Sequence, residues 1–153
     1  LPGLRTPTDF RGIVNAHFKV EPPAHVPPML GIVNGLCEWV FAHPGRISVT
    51  ISDAGRLFKR PRAELAAEIW RDVVRVTGLS ETLPPWQIVR ERRATFAATP
   101  EQNARRPDAR TAWRNLILAG DWTATGLPST MEGAVRSGNR AADLALGLLR
   151  AAA

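Results

Sequence analysis

The amino-acid sequence predicts a mixed α/β fold, and three observations carry that expectation. Apolar and polar residues alternate with period two in runs such as IVNAHFKV, a helical stripe runs through residues 61–77, and Pro and Gly cluster between the periodic runs. The 153 residues, 44% of them hydrophobic, suffice for one domain with a real core or for two unequal portions of larger domains.

Taken in order, Ile13, Asn15, His17 and Lys19 share one face of the first strand, while Val14, Ala16, Phe18 and Val20 share the other, better-buried face. The following EPPAHVPP cannot sustain a ladder because its prolines lack donors, so it is a loop. GLCEWVFAH and RISVTISD, separated by Pro44-Gly45, read as a β-hairpin. Pro61 opens a helix where its missing N–H costs nothing, Leu65, Ile69, Val73 and Val76 form its apolar stripe, and Gly78 stops it. Beyond Pro84-Pro85, WQIVRERRATF is a strand from Trp86 to about Phe96. Residues 97–115 form a polar, Arg- and Pro-bearing connector, and LILA then reads as a two-sided, buried strand leading to a helix that runs to Leu149. The expected organisation is therefore 1–96, 97–115 and 116–153, and the LILA strand needs a sheet that the rest of the chain does not supply.

The formal charge of +6 comes from 20 basic and 14 acidic residues, nearly all the basic ones Arg and spread along the chain. Scattered, solvated charge is the expectation, including Arg90, Arg92, Arg93, Arg105, Arg106 and Arg110, and no nucleic-acid partner is predicted. The single cysteine, Cys37, excludes an internal disulfide and a cysteine-based metal cluster; no metal site is expected, and a cytoplasmic, reducing compartment fits. No apolar run approaches the ~20 residues of a membrane-spanning helix. The chain opens on Leu1 in a turn-like LPGLRTP, as a sequence starting mid-protein would.

The densest chemistry lies in LILAGDWTATGLPSTMEGAVRSG, residues 116–138. A strand ending in Gly120-Asp121 puts a carboxylate at the edge where open α/β sheets bind ligands, and Gly120 allows close approach to the backbone. An ionised Asp121 only accepts hydrogen bonds, so the hydroxyls of a ribose or ribityl chain suit it. Ser129 and Glu132 have capping-box spacing, which turns the first amides of a helix near Thr130 and Met131 outward with the positive dipole end. Gly133 and Ala134 keep that first turn slim enough for a flat ring.

In this order and spacing, the segment resembles the carboxyl-terminal FAD-binding motif of the flavin amine oxidase and phytoene desaturase superfamily, in which A-G-(D/E) is followed by an M/I-E-G-A-x-x-S/A-G helix start. The resemblance implies a partial FAD/NAD(P)-binding-type fold: a mixed-sheet portion of a substrate domain, plus the returning strand and long helix of the FAD domain. It implies FAD as cofactor, held by Gly120, Asp121, Trp122, Thr130, Met131, Gly133 and Ala134, with Asp121 at the ribityl chain or phosphate region and the Met131 amide at the flavin pyrimidine edge. Further back, IVNAHFKV, PPMLGIVNG, CEWVF, ISVTIS, RPRAELAAEIW and PPWQIVRERRATFAATPEQNARRP are similar to the hydroxysqualene dehydroxylase family, also described as squalene-associated FAD-dependent desaturases. Nearly the whole chain is covered, but only by the later part of such a protein, for the sequence has no G-x-G-x-x-G turn.

That family implies reductive removal of the hydroxyl of hydroxysqualene, a polyisoprenoid substrate, with peripheral contact at the inner membrane face as a companion expectation. The motif assigns no catalytic residue; Asp53, Glu38 and His17 are the titratable groups on or beside strands. Trp39, Phe41, Trp86 and Phe96 could line a hydrocarbon tunnel or serve as ordinary core. An amine oxidase is the rival reading, but Thr130 stands where those enzymes often carry Tyr, and the chain has no tyrosine. Carotenoid desaturation shares the same frame. Alone, the chain is expected to bind no FAD, and to act by association with an amino-terminal FAD-domain portion or with itself, or to be a non-catalytic association module.

Overall fold

The computed structural model describes residues 3–152. They fall into two compact units, one of residues 11–94 and one joining residues up to 10 with those from 95 onward.

The first unit is a five-stranded sheet in the order β2-β3-β4-β1-β5, from β1 (Phe10–Phe18), β2 (Met29–Gly31), β3 (Trp39–His43), β4 (Arg46–Ile51) and β5 (Trp86–Phe96), with helix α1 (Arg62–Thr77) packed on one face. Alternation decides the faces, because register carries every second side chain to the same side. Val14 pairs with Ile51, Ala16 with Val49 and Phe18 with Ile47, while Val49 also pairs with Val40, so these residues form one continuous apolar face. Leu65, Ala66, Ile69, Trp70 and Val73 of α1 close over it. Phe18 and Trp70 meet at 4.9 Å between ring centroids, tilted by 45°. Gly12 admits the Phe58 ring where any Cβ would collide with it.

The predicted hairpin is present, turning at Pro44-Gly45 with Gly45 at φ 69°. Residues 21–28 are a loop, as their prolines require, although the Pro28 carbonyl still accepts from Ala42 N at 3.0 Å. Strand β2 went unpredicted, since three residues give no readable period. Pro61 is the N-cap of α1 rather than its first helical residue, and its carbonyl accepts from Leu65 N at 3.1 Å. The buried stripe includes Trp70 and Thr77, while Val76 is only half-buried. Gly78 ends the helix at φ 72°, as expected. Asp72 ties α1 to the loop before β3 by accepting from Leu36 N at 2.6 Å and Cys37 N at 3.1 Å. Arg90 is not a solvated charge: it donates to the carbonyls of Phe58 and Arg60 at 2.8 and 2.6 Å.

In the second unit, α3 (Met131–Ala152) is the long helix the sequence predicts. The connector, expected to be structureless, contains the short helix α2 (Pro100–Ala104), whose Thr99 cap accepts from Gln102 N at 3.2 Å. Gln102, 5% exposed, returns to residues 8 and 9 by accepting both their amides. LILA differs most from expectation. Its ladder is a single bridge, Arg110 to Ile117, reinforced by Leu118 N donating to the Ala109 carbonyl at 2.8 Å. Leu118 is buried, Leu116 and Ile117 only half so, and Ala119 exposed. The short 109–110 segment covers one edge, too little to bury both faces of a strand. No helix among the described residues is long and apolar enough to cross a membrane.

Two outcomes follow from this packing. Ile69→Ala leaves a void between α1 and the sheet and should cost about 2–5 kcal/mol in denaturant unfolding. The His17 imidazole, bonded to Ser48 Oγ at 3.0 Å, is held below its ordinary value of about 6.5 by burial and then by Arg46. Below that value the unfolded chain takes up a proton that the folded chain resists, so stability should fall as pH drops through and beneath it. His17→Gln should flatten that dependence; an unchanged pH profile would show that His17 does not carry it.

Candidate functional site

The site is built on the turn after LILA and the start of α3, both in the second unit. Gly120 has φ 136°, a backbone conformation that disfavours any side chain, and a Cβ there would collide with the Trp122 indole. The turn is knotted to α3 through Ser137. Its Oγ accepts from Gly120 N at 3.0 Å and lies 2.7 Å from Thr123 Oγ1, which donates to the Gly120 carbonyl at 2.9 Å. Thr123 and Ser137 are each 2% exposed, so these hydrogen bonds are shielded from water.

Asp121 leaves this turn half-buried, and its Oδ2 accepts from Ser129 Oγ. Ser129 is therefore occupied by the carboxylate and is not the helix cap. Thr130 caps instead, its Oγ1 accepting from Gly133 N at 3.1 Å. The cap is thus displaced by one residue and the box expected at Ser129 and Glu132 does not form, since Gly133 now stands at N3 and Glu132 pairs with Arg136 at 2.7 Å. The amides of Met131 and Glu132 sit in the first turn, where a helix supplies no acceptors of its own. Met131 is 88% exposed. Gly133 is buried, and a Cβ there would stand 3.0 Å from the Pro128 carbonyl. Its small size thus serves the loop, while Ala134 is exposed toward solvent. Trp122 folds back on its own turn.

A buried cation holds the loop between Asp121 and the cap. Arg106 is 9% exposed, with Nη1 donating to the Leu127 carbonyl at 2.6 Å and to Asn103 Oδ1 at 3.2 Å. Its Nη2 donates to the Asp121 carbonyl at 2.8 Å and to Thr125 Oγ1 at 2.9 Å, and the guanidinium stacks 5.0 Å from the Phe96 ring centroid. Burial pulls Arg106 below its ordinary value, and the negative charge of Asp121 opposes that. The expectation of a solvated Arg106 is thus overturned. Beside it lies an open groove of about 510 Å³ bordered by Phe96, Thr99, Asn103, Arg106, Leu127 and Ser129.

The structure thereby brings Gly120, Asp121, Trp122, Thr130, Met131, Gly133 and Ala134 into one region. The residues that hold it together, Arg106, Thr123, Ser129 and Ser137, were absent from the predicted set. The other titratable groups have structural partners in the first unit. Glu38 accepts from Ser52 N at 3.0 Å, exposed Asp53 lies 3.5 Å from Arg11, and His17 holds Ser48. Cys37 is fully buried, and burial followed by Asp72 pushes its thiol up, away from the reactive thiolate. Trp39 is 42% exposed on the sheet face opposite α1, with Phe41 and Met29 in register on that face.

Residues 5–146 match the sequence pattern of the family described as flavin containing amine oxidoreductase. A hydroxysqualene dehydroxylase of Rhodopseudomonas palustris is 63% identical over 99% of this chain and 36% of its own length. The proteins of that name from Sinorhizobium fredii and Zymomonas mobilis are 66% and 51% identical, each over 95% of this chain and 35% of its own length. The chain spans about a third of the length of these curated relatives.

The cap assignment is directly testable. Thr130→Ala should cost about 1 kcal/mol of stability through loss of the N-cap, whereas Ser129→Ala should leave the helix start intact. Faster amide exchange at Gly133 in the Thr130 variant reads the cap, whereas faster exchange at Met131 or Glu132 in the Ser129 variant alone would return the cap to Ser129.

Proposed function

Because the chain belongs to the flavin containing amine oxidoreductase family, we propose that it carries the carboxyl-terminal half of an FAD site in a longer oxidoreductase acting on a polyisoprenoid, with hydroxysqualene as substrate and squalene as product. The observation that carries this reading is the joint placement of the Asp121 carboxylate and the first turn of α3, fixed through Ser129 and Arg106.

The donor set fits a flavin. Asp121 offers carboxylate oxygen to ribityl or ribose hydroxyls, with one oxygen already oriented by Ser129. The open amides at Met131 and Glu132, with the positive helix end behind them, suit an electron-rich ring edge and favour its reduced, more negative form. When bound, reduced FAD would supply the hydride that replaces the hydroxyl at an allylic carbon, with a proton joining that hydroxyl so that it leaves as water. Trp122 and Gly120 shape the turn on which Asp121 stands, while Thr130 keeps the first helical turn regular. On the sheet of the first unit, Met29, Trp39 and Phe41 offer an apolar surface to an isoprenoid chain.

Hydroxysqualene is favoured among polyisoprenoids by the names of the three relatives. An amine substrate is disfavoured by Thr130, which stands before Met131-Glu132-Gly133-Ala134 where amine oxidases often carry tyrosine.

In the full-length protein, Asp121→Ala should weaken FAD retention about tenfold or more, the loss expected when hydrogen bonds to a charged group are removed. Equilibrium dialysis with flavin absorbance measures it, and unchanged retention would remove Asp121 from the site. Incubation of the flavin-loaded protein with hydroxysqualene and a reductant should yield squalene. No squalene from hydroxysqualene, under conditions where the same protein desaturates a supplied carotenoid precursor, would overturn the substrate assignment.

A further inference from the structure

We infer that Arg106 is the positioning residue of the cofactor half-site: it sets the separation and orientation of the Asp121 carboxylate relative to the first turn of α3. The inference rests on the flavin reading above and deepens it by naming the residue on which the geometry depends.

Asp121 and Met131 are joined by a loop without regular structure, turned at Gly126 with φ 74°. The loop has ties of its own, Ser129 Oγ to Asp121 Oδ2 and the Thr125 hydroxyl to Leu127 N and O. Arg106 adds a brace from outside at three points, the carbonyls of Asp121 and Leu127 and the hydroxyl of Thr125, so the start and the middle of the loop hang on one guanidinium. Asn103 Oδ1 takes the fourth Nη hydrogen, and Phe96 supports the plane from its face. The remaining donor, Nε, is buried without a partner. Leaving a buried donor unpaired costs about 1–3 kcal/mol. Arg90 in the first unit shares such an orphan Nε, so that cost alone marks no site; what sets Arg106 apart is that its planar fork spans two carbonyls of the segment joining Asp121 to α3. Lysine carries the charge but not the fork.

The test uses the full-length protein with Arg106→Lys, Thr125→Val and, as a control, Arg105→Ala. Arg105 is a half-exposed neighbour whose side chain donates to the Thr6 carbonyl at 3.0 Å. Three readouts are taken: thermal midpoint, FAD dissociation constant and the visible absorption and dichroism of bound flavin. Arg106→Lys should bind FAD about tenfold or more weakly, as loss of several charge-assisted hydrogen bonds predicts, with an altered flavin spectrum. Thr125→Val, which removes one Arg106 acceptor together with the Thr125–Leu127 hydrogen bonds and leaves the cation in place, should shift the spectrum in the same direction with a smaller loss. Arg105→Ala should change neither. Native affinity and spectrum in Arg106→Lys would overturn the inference while leaving the flavin reading intact. If Arg106→Lys does not fold, Thr125→Val decides, and a native spectrum there overturns the inference. Equal effects from Arg105→Ala would reduce Arg106 to general packing and overturn it as well. No FAD binding by the unaltered full-length protein would overturn the flavin reading and this inference together.

Discussion

A buried guanidinium is the constraint around which the second unit is arranged. Taking Arg106 out of water is tolerable only if its donors find partners, and four of its hydrogens do, on Leu127, Asn103, Asp121 and Thr125. The consequence reaches beyond satisfaction of the charge. The acceptors belong to the segment that separates a carboxylate from a helix start, so the cost of burial is converted into a defined spacing between two groups of opposite electrostatic character. Ser137 performs the neutral counterpart of this task on the other side, binding the Gly120 turn to α3 through buried hydroxyls.

The first unit is stabilised differently. Its order comes from apolar alternation on β1 and β4, closed by the stripe of α1, with Asp72 holding two loop amides and Arg90 bridging two carbonyls while its Nε stays buried and unpaired. The sheet face opposite α1 carries Met29, Trp39 and Phe41 beside Ser48 and Thr50, while the hydrogen-bonded loop of the second unit presents carboxylate and amides.

Periodicity made much of the fold legible. Strands β1, β3, β4 and β5, helix α1 with its Gly78 stop, and α3 all follow from alternation, helical stripes and Pro or Gly punctuation. What escaped has physical reasons. Strand β2 is too short to show a period, and α2 looks like a polar connector because it is held by Thr99 and Gln102 rather than by an apolar stripe. LILA satisfies the pattern of a buried strand, yet its pairing is one bridge, since pattern records what a segment can bury and not which neighbours are present. At the site, Asp121 and the helix start were readable from residue type and order. The supporting set was not: an Arg in a polar run looks like any solvated Arg, and only the three-dimensional course of the loop shows that Arg106 is enclosed. Ser129 misled for a related reason, because capping-box spacing fitted it, while the nearby carboxylate claimed its hydroxyl and left Thr130 to cap the helix.

The chain belongs to the flavin containing amine oxidoreductase family, and the central proposal is that residues 120–134 form its surface for flavin. Amide hydrogen exchange of the full-length protein with and without FAD tests it most directly, because exchange locates the bound cofactor without altering a residue. The account predicts strong FAD-dependent protection of the Gly120–Trp122 turn and of the Met131 and Glu132 amides. Tight FAD binding with no change in exchange across that segment would contradict it.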